Sequence, residues 1–194
     1  MLQNGNFWGY TATESDSPLT SLSPGRANPI GISYLYTAWD ANTAIAEIQP
    51  MSGELISVAK IKTKKTSRIF NFDFYEAFKN SYLMKIPLKD FEETIGTPFR
   101  ELEIFFKTMS ELFSRPALGN TDNYYATQYV SEYIKSKGFD GIKFMSSLKR
   151  GGSNVVLFDT SRDENGNHVN YEFTGSALYR VKNVAVTSKK VLPR

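Results

Sequence analysis

A mixed α+β fold is predicted by three features of the 194-residue chain. β-prone runs cluster toward its two ends, amphipathic helical periodicity occupies its middle, and 41% hydrophobic with 14% aromatic residues supplies a sizeable core. That length suits one domain, taken as residues 1–194, with residues 1 to about 24 as an irregular arm running over its surface. No internal repeat or low-complexity segment divides it.

Taken in order, the arm leads into Gly25-Arg26-Ala27-Asn28-Pro29-Ile30-Gly31, a loop punctuated by Gly and Pro. The β-prone run Ile32-Ser33-Tyr34-Leu35-Tyr36 follows, then Trp39 and a capping residue, Asp40 or Asn42. A short helix runs from there until Pro50 stops it. Ala44, Ile45 and Ile48 are its expected buried face, with Glu47 beside them. Residues 55–61 and 69–74 read as strands, the second passing into a turn. From Pro98, apolar residues Phe99, Leu102, Phe106, Met109 and Phe113 recur every three or four positions until Pro116, which defines a core-facing helix. A second helix is expected over 122–137, with Tyr125, Tyr129, Val130, Tyr133 and Ile134 packing on a sheet and Gly138 as its C-terminal cap. Two short apolar runs, 142–145 and 154–158, flank the polar loop 146–153. The alternation over 171–186 reads as further strand.

Composition excludes several chemistries. With no cysteine, disulfide scaffolds, thiol nucleophiles and zinc–thiolate clusters are ruled out, and a Ser-His-Asp triad would have to use His168, the only histidine. His168 ends the polar stretch 162–168 and is expected at the surface. The N-terminus has no basic segment followed by an apolar run, and no stretch is apolar enough to cross a membrane, so a soluble, cytoplasmic protein is expected. Net charge is +3, with basic residues in Lys60–Lys65 and at Lys189-Lys190. These read as solvated strand ends, too mild a balance to argue for nucleic acid.

Three places carry residue types that do not serve packing. Arg26 stands in a loop whose glycines permit close backbone approach, where a guanidinium can clamp a phosphate; an exposed arginine on a turn is the plainer alternative. Tyr36 and Glu47 form the second, and the Ser146-Ser147 doublet at a strand exit forms the third, where turn chemistry alone would also account for serines.

The runs GRANPIGISYLYTAWDANTAIAEIQP, 25–50, and YATQYVSEYIKSKGFDGIKFMSSLKRGGSNVVLF, 125–158, resemble the RES domain, a family named for its Arg, Glu and Ser. The resemblance spans most of the chain. It places the family Arg on Arg26, the Tyr on Tyr36, the Glu on Glu47 and the Ser on Ser146. Many relatives have Pro before that Ser, where this chain has Met145, which keeps Ser147 open as the occupant. The resemblance implies a single α+β domain with a mostly antiparallel sheet core and flanking helices, similar to ADP-ribosyltransferases. It further implies a toxin that degrades NAD by cleaving the nicotinamide–ribose bond, by hydrolysis or phosphorolysis. Glu47, Tyr36 and Ser146 would then be catalytic, with Arg26, Asn28 and Ser147 binding substrate. Neither a metal nor a cofactor is needed, since NAD is substrate and phosphate the candidate co-substrate. Candidate partners are a helix-turn-helix antitoxin and a second copy of the chain; a membrane and nucleic acid are not expected. ADP-ribosyl transfer to a macromolecule would use the same residues, and a non-catalytic nucleic-acid-binding module is the reading from a different class.

Overall fold

A computed structural model describes residues 2–3, 6–7, 9–11, 14, 16, 23–79, 81–115 and 124–184. The element order is β1 (Leu2–Gln3), β2 (Asn6–Phe7), β3 (Leu35–Ala38), α1 (Ala41–Glu47), β4 (Leu55–Thr63), β5 (Ile69–Asn71), α2 (Phe74–Phe78), α3 (Leu88–Ile95), α4 (Phe99–Ser114), α5 (Tyr125–Ser136), β6 (Gly141–Met145), β7 (Ser153–Leu157) and β8 (Tyr171–Arg180). The α+β class is therefore observed.

The described residues form a four-stranded sheet ordered β3-β7-β6-β5, the long β4-β8 ribbon, and the small β1-β2 pair. Among the described strands every pairing is antiparallel except β5 with β6. Period-two alternation sends Ile142, Phe144 and Val156 to one face of the four-stranded sheet, where Met109 and Phe113 of α4 and Ile134 of α5 cover them. Val155 and Leu157 point the other way, joining Leu35, Tyr171 and side chains of the ribbon. A third cluster, Phe74, Phe91 and Phe106, holds α2, α3 and α4 together. β3 is an edge strand, so the backbone groups on its outer side have no ladder partner in the sheet.

The α4 stripe is core as expected, with Phe106, Met109 and Phe113 buried. α2 and α3 carry too few turns to give a clear period from sequence. Lys60, Lys62, Lys64 and Lys65 are exposed at the ribbon's end, while Lys189, Lys190 and residues 185–186 lie outside the described residues, as does most of the N-terminal arm. No described helix is long and apolar enough to cross a membrane.

Three expectations are corrected. His168 is 5% exposed, not a surface residue: its Nε2 lies 2.7 Å from Asp16 Oδ2 and its ring stacks on Tyr171 at 4.0 Å. The polar turn folds back through the Arg162–His168 bridge, and a residue of the N-terminal arm closes over the imidazole. On α5 the tyrosine face is the outer one, with Tyr125, Tyr129 and Tyr133 exposed; Thr127, Ser131 and Ile134 face inward. Small side chains at Thr127 and Ser131 let the helix approach closely. On α1 the buried residue is Thr43, and Ile48 is exposed, because that end of the helix overhangs a cavity.

Candidate active site

Residues 25–28 stay in place because α5, β3 and the loop's own Asn28 side chain hold them. Gln128 of α5 donates to the carbonyls of Gly25 (2.8 Å) and Asn28 (3.1 Å), and Asn28 Nδ2 donates to Ile32 O at 2.7 Å. The Tyr36 hydroxyl accepts from Ala27 N at 2.9 Å and donates to Asn28 Oδ1 at 2.7 Å. Burial pushes the Tyr36 phenol up to about 12, against the opposing pull of the Ala27 N–H and the Arg26 charge, so it stays a neutral donor at physiological pH. Tyr36 also lines the cavity described below. At Gly25 a Cβ would stand 2.3 Å from Asn28 Oδ1 and 2.5 Å from the Tyr36 oxygen. Gly25→Ala is accordingly expected to break this network and lower stability by about 1–3 kcal/mol, measurable by chemical denaturation.

Arg26, held on this loop, is half-buried; Nη1 donates to Phe113 O at the end of α4 (3.3 Å), while Nε is buried with no partner among the described residues. The guanidinium is thus tethered at one nitrogen and has N–H groups to spare.

α1 carries Glu47. Asp40 caps the helix, accepting from Thr43 N (3.1 Å) and Thr43 Oγ1 (2.6 Å), which consumes the Asp40 carboxylate and leaves Glu47 as the acidic side chain offered from this helix. Ser146, just past β6, accepts at Oγ from the backbone N–H groups of Leu148 (3.1 Å) and Lys149 (3.0 Å). Its one proton is therefore directed to Glu47 Oε1, 2.6 Å away. Asn154 of β7 donates to the same oxygen at 2.7 Å. Both donors converge on Oε1, and Oε2 receives no hydrogen bond from the described residues.

Glu47, Arg26, Tyr36 and Asn154 line one cavity of about 720 Å³, lying along the edge of β3 with α1 and the ribbon strand β4 across from it. Ser146 stands behind Glu47. Two expected substrate-binding residues are not brought to this cavity: Asn28 is 3% exposed and spent on Tyr36 and the loop, and Ser147 donates to Ser114 O at 2.6 Å, pinning the 146–153 loop to α4. It is Ser146, not Ser147, that meets the glutamate. Sequence reasoning missed Asn154 and gave Gln128 no role; a lone amide at the head of the otherwise apolar run 154–158 was the available signal for the first.

Fold and site together define an α+β cleft protein with a braced carboxylate and a tethered guanidinium on one cavity. A family model for the RES domain matches residues 4–175, and the chain belongs to the RES domain family. No curated protein and no solved structure matches it.

Proposed function

We propose that the protein is a toxin that cleaves the nicotinamide–ribose bond of NAD. The single observation that carries this reading is the Glu47 carboxylate, fixed through one oxygen by Ser146 and Asn154 and open at the other toward a cavity that Arg26 shares. A cavity of this size suits a small-molecule substrate. Membership of the RES family supports NAD as that molecule and a helix-turn-helix antitoxin as a partner.

Breaking the glycosidic bond sends its electron pair to the nicotinamide nitrogen and leaves positive charge on the ribose ring. A carboxylate beside that ring gains most in the transition state, as in glycoside cleavage. Because two donors already hold Oε1, the carboxylate needs little reorganisation as charge develops. Arg26 positions the diphosphate, so the scissile bond comes to rest against Glu47. Tyr36 lines the pocket and secures the arginine loop. Water or phosphate then attacks the ribosyl cation and gives up its proton; a macromolecular acceptor would make the same site a transferase.

Incubating the purified protein with NAD, with and without phosphate, and separating the products tests this directly. Nicotinamide with ADP-ribose identifies hydrolysis, nicotinamide with a phosphorylated ADP-ribose phosphorolysis, and ADP-ribose on a macromolecule transfer. Unchanged NAD under all conditions overturns the proposal.

The serines separate by function in this reading. Ser146→Ala removes a charge-assisted bond to Glu47 and is expected to cut turnover about 10- to 100-fold. Ser147→Ala loses one bond to Ser114, costing about 1 kcal/mol of stability with turnover close to the parent's. Initial rates and melting temperatures of both variants check it, and the reverse order of rates rejects Ser146 as the brace.

A further inference from the structure

Arg26 sits inside a turn that is closed twice over. Gly25 N donates to Asn28 O at 2.9 Å, and Gln128 Nε2 reaches across from α5 to donate to Gly25 O (2.8 Å) and Asn28 O (3.1 Å). Both N–H groups of one side-chain amide are thus spent on the two carbonyls that bracket the arginine. α5 does not depend on Gln128 for its own place. Thr127, Ser131 and Ile134 bury its inner face, and Glu132 and Lys135 hold the Tyr34 hydroxyl, Lys135 Nζ at 3.2 Å. The carboxylate half of the site is held by different elements, Ser146 just past β6 and Asn154 on β7. The site is therefore braced as two separate halves, and Gln128 belongs to the half that carries the guanidinium.

We propose that Gln128 is a positioning residue: it fixes the backbone from which Arg26 reaches an anionic ligand, and so sets affinity from behind the loop, off the cavity wall. The inference rests on the reading of this cavity as an NAD site with Arg26 as its phosphate clamp. Among the described residues the guanidinium itself is tethered only by the long 3.3 Å bond from Nη1 to Phe113 O, so its aim depends on the turn beneath it. Once that turn loosens, the ligand must order the loop as it binds, and the entropy of doing so is subtracted from affinity. Glu47 keeps both of its braces, so the step at the ribose is spared and the loss falls on KM, not kcat.

A double-mutant cycle on the full chain tests this, with Gln128→Met, which keeps the side chain's length but has no donor, Arg26→Ala, and the two combined. Calorimetry follows NAD in the Glu47→Gln background, where it is not consumed, and pyrophosphate, a probe of the guanidinium that involves no NAD chemistry. Initial rates are taken with Glu47 in place. Gln128→Met is expected to weaken both ligands about 3- to 10-fold and raise KM by a similar factor, with kcat within about twofold of the parent's. In the Arg26→Ala background the same substitution should change affinity by less than about twofold, because the clamp it positions is gone. A contact that served the fold alone would repeat its loss in full. Such additivity, parental affinity in a folded Gln128→Met protein, or a loss confined to kcat overturns the proposal. Gln128→Asn, one methylene too short to span both carbonyls, carries the cycle if Gln128→Met does not fold; if neither folds, Gln128 is structural and the proposal falls. A parent that leaves NAD intact yet binds pyrophosphate overturns the NAD reading alone and leaves the cycle to decide on Gln128, whereas one that binds neither overturns both.

Discussion

Glu47→Gln is expected to lower NAD breakdown by about two to three orders of magnitude while the protein stays folded and still binds NAD. The structure explains why folding is spared. The glutamine carbonyl can accept from both Ser146 and Asn154, as Oε1 does now, so neither brace loses its partner. What changes is the cavity-facing atom, which becomes an uncharged NH₂ donor in place of a carboxylate oxygen. Ground-state binding through Arg26 is untouched by this exchange, but stabilisation of the ribosyl cation is gone, so the loss falls on turnover. Single-turnover rates and calorimetric NAD affinity, measured side by side, decide the matter. A Glu47→Gln protein that consumes NAD at a tenth of the parent rate or faster rejects the carboxylate mechanism.

Arg26→Ala should weaken NAD binding about 10- to 100-fold, the consequence of losing a charge-assisted contact of roughly 1.5–3 kcal/mol. Arg26→Lys keeps the charge but replaces a planar fork with a point charge, and an intermediate loss is expected. An arginine on an open turn could be removed at no cost to the fold. This one donates to Phe113 O and neighbours Ala27, which is fully buried, so Arg26→Ala should also cost about 1 kcal/mol of stability. Melting curves taken with the affinity titrations keep the two effects apart. NAD binding at parental strength in a folded Arg26→Ala protein removes the phosphate clamp from the site.

Periodicity made much of the fold legible. The α4 stripe, the strands β4, β6 and β7, and the short helix capped ahead of Glu47 are all set by local patterns, since each depends on which residues recur on one face. α5 shows where that rule runs out. Tyr125, Tyr129 and Tyr133 recur every four residues, and so do Thr127 and Ser131 on the opposite side. Both stripes have a helical period, and hydrophobicity favours the tyrosines; close approach of the helix to the sheet selected the small residues instead. His168 went astray for a related reason, because a polar turn gives no sign that Asp16, 152 positions away in sequence, will cover its ring.

The sequence by itself determined the chemical types at the site: a guanidinium in a glycine-bounded loop, a glutamate on a short helix, a serine at a strand exit. Only the tertiary structure decided their partners. Ser146 and Ser147 are indistinguishable as letters, yet successive residues leaving a strand point in different directions, and only one reaches Glu47 while the other reaches α4. The Asn154 brace comes from 107 residues away and the Gln128 clasp on the arginine loop from about 100, so no local window contains them. Local patterns depend on neighbours in the chain, whereas the direction and spare valence of a polar group depend on whatever the fold places against it.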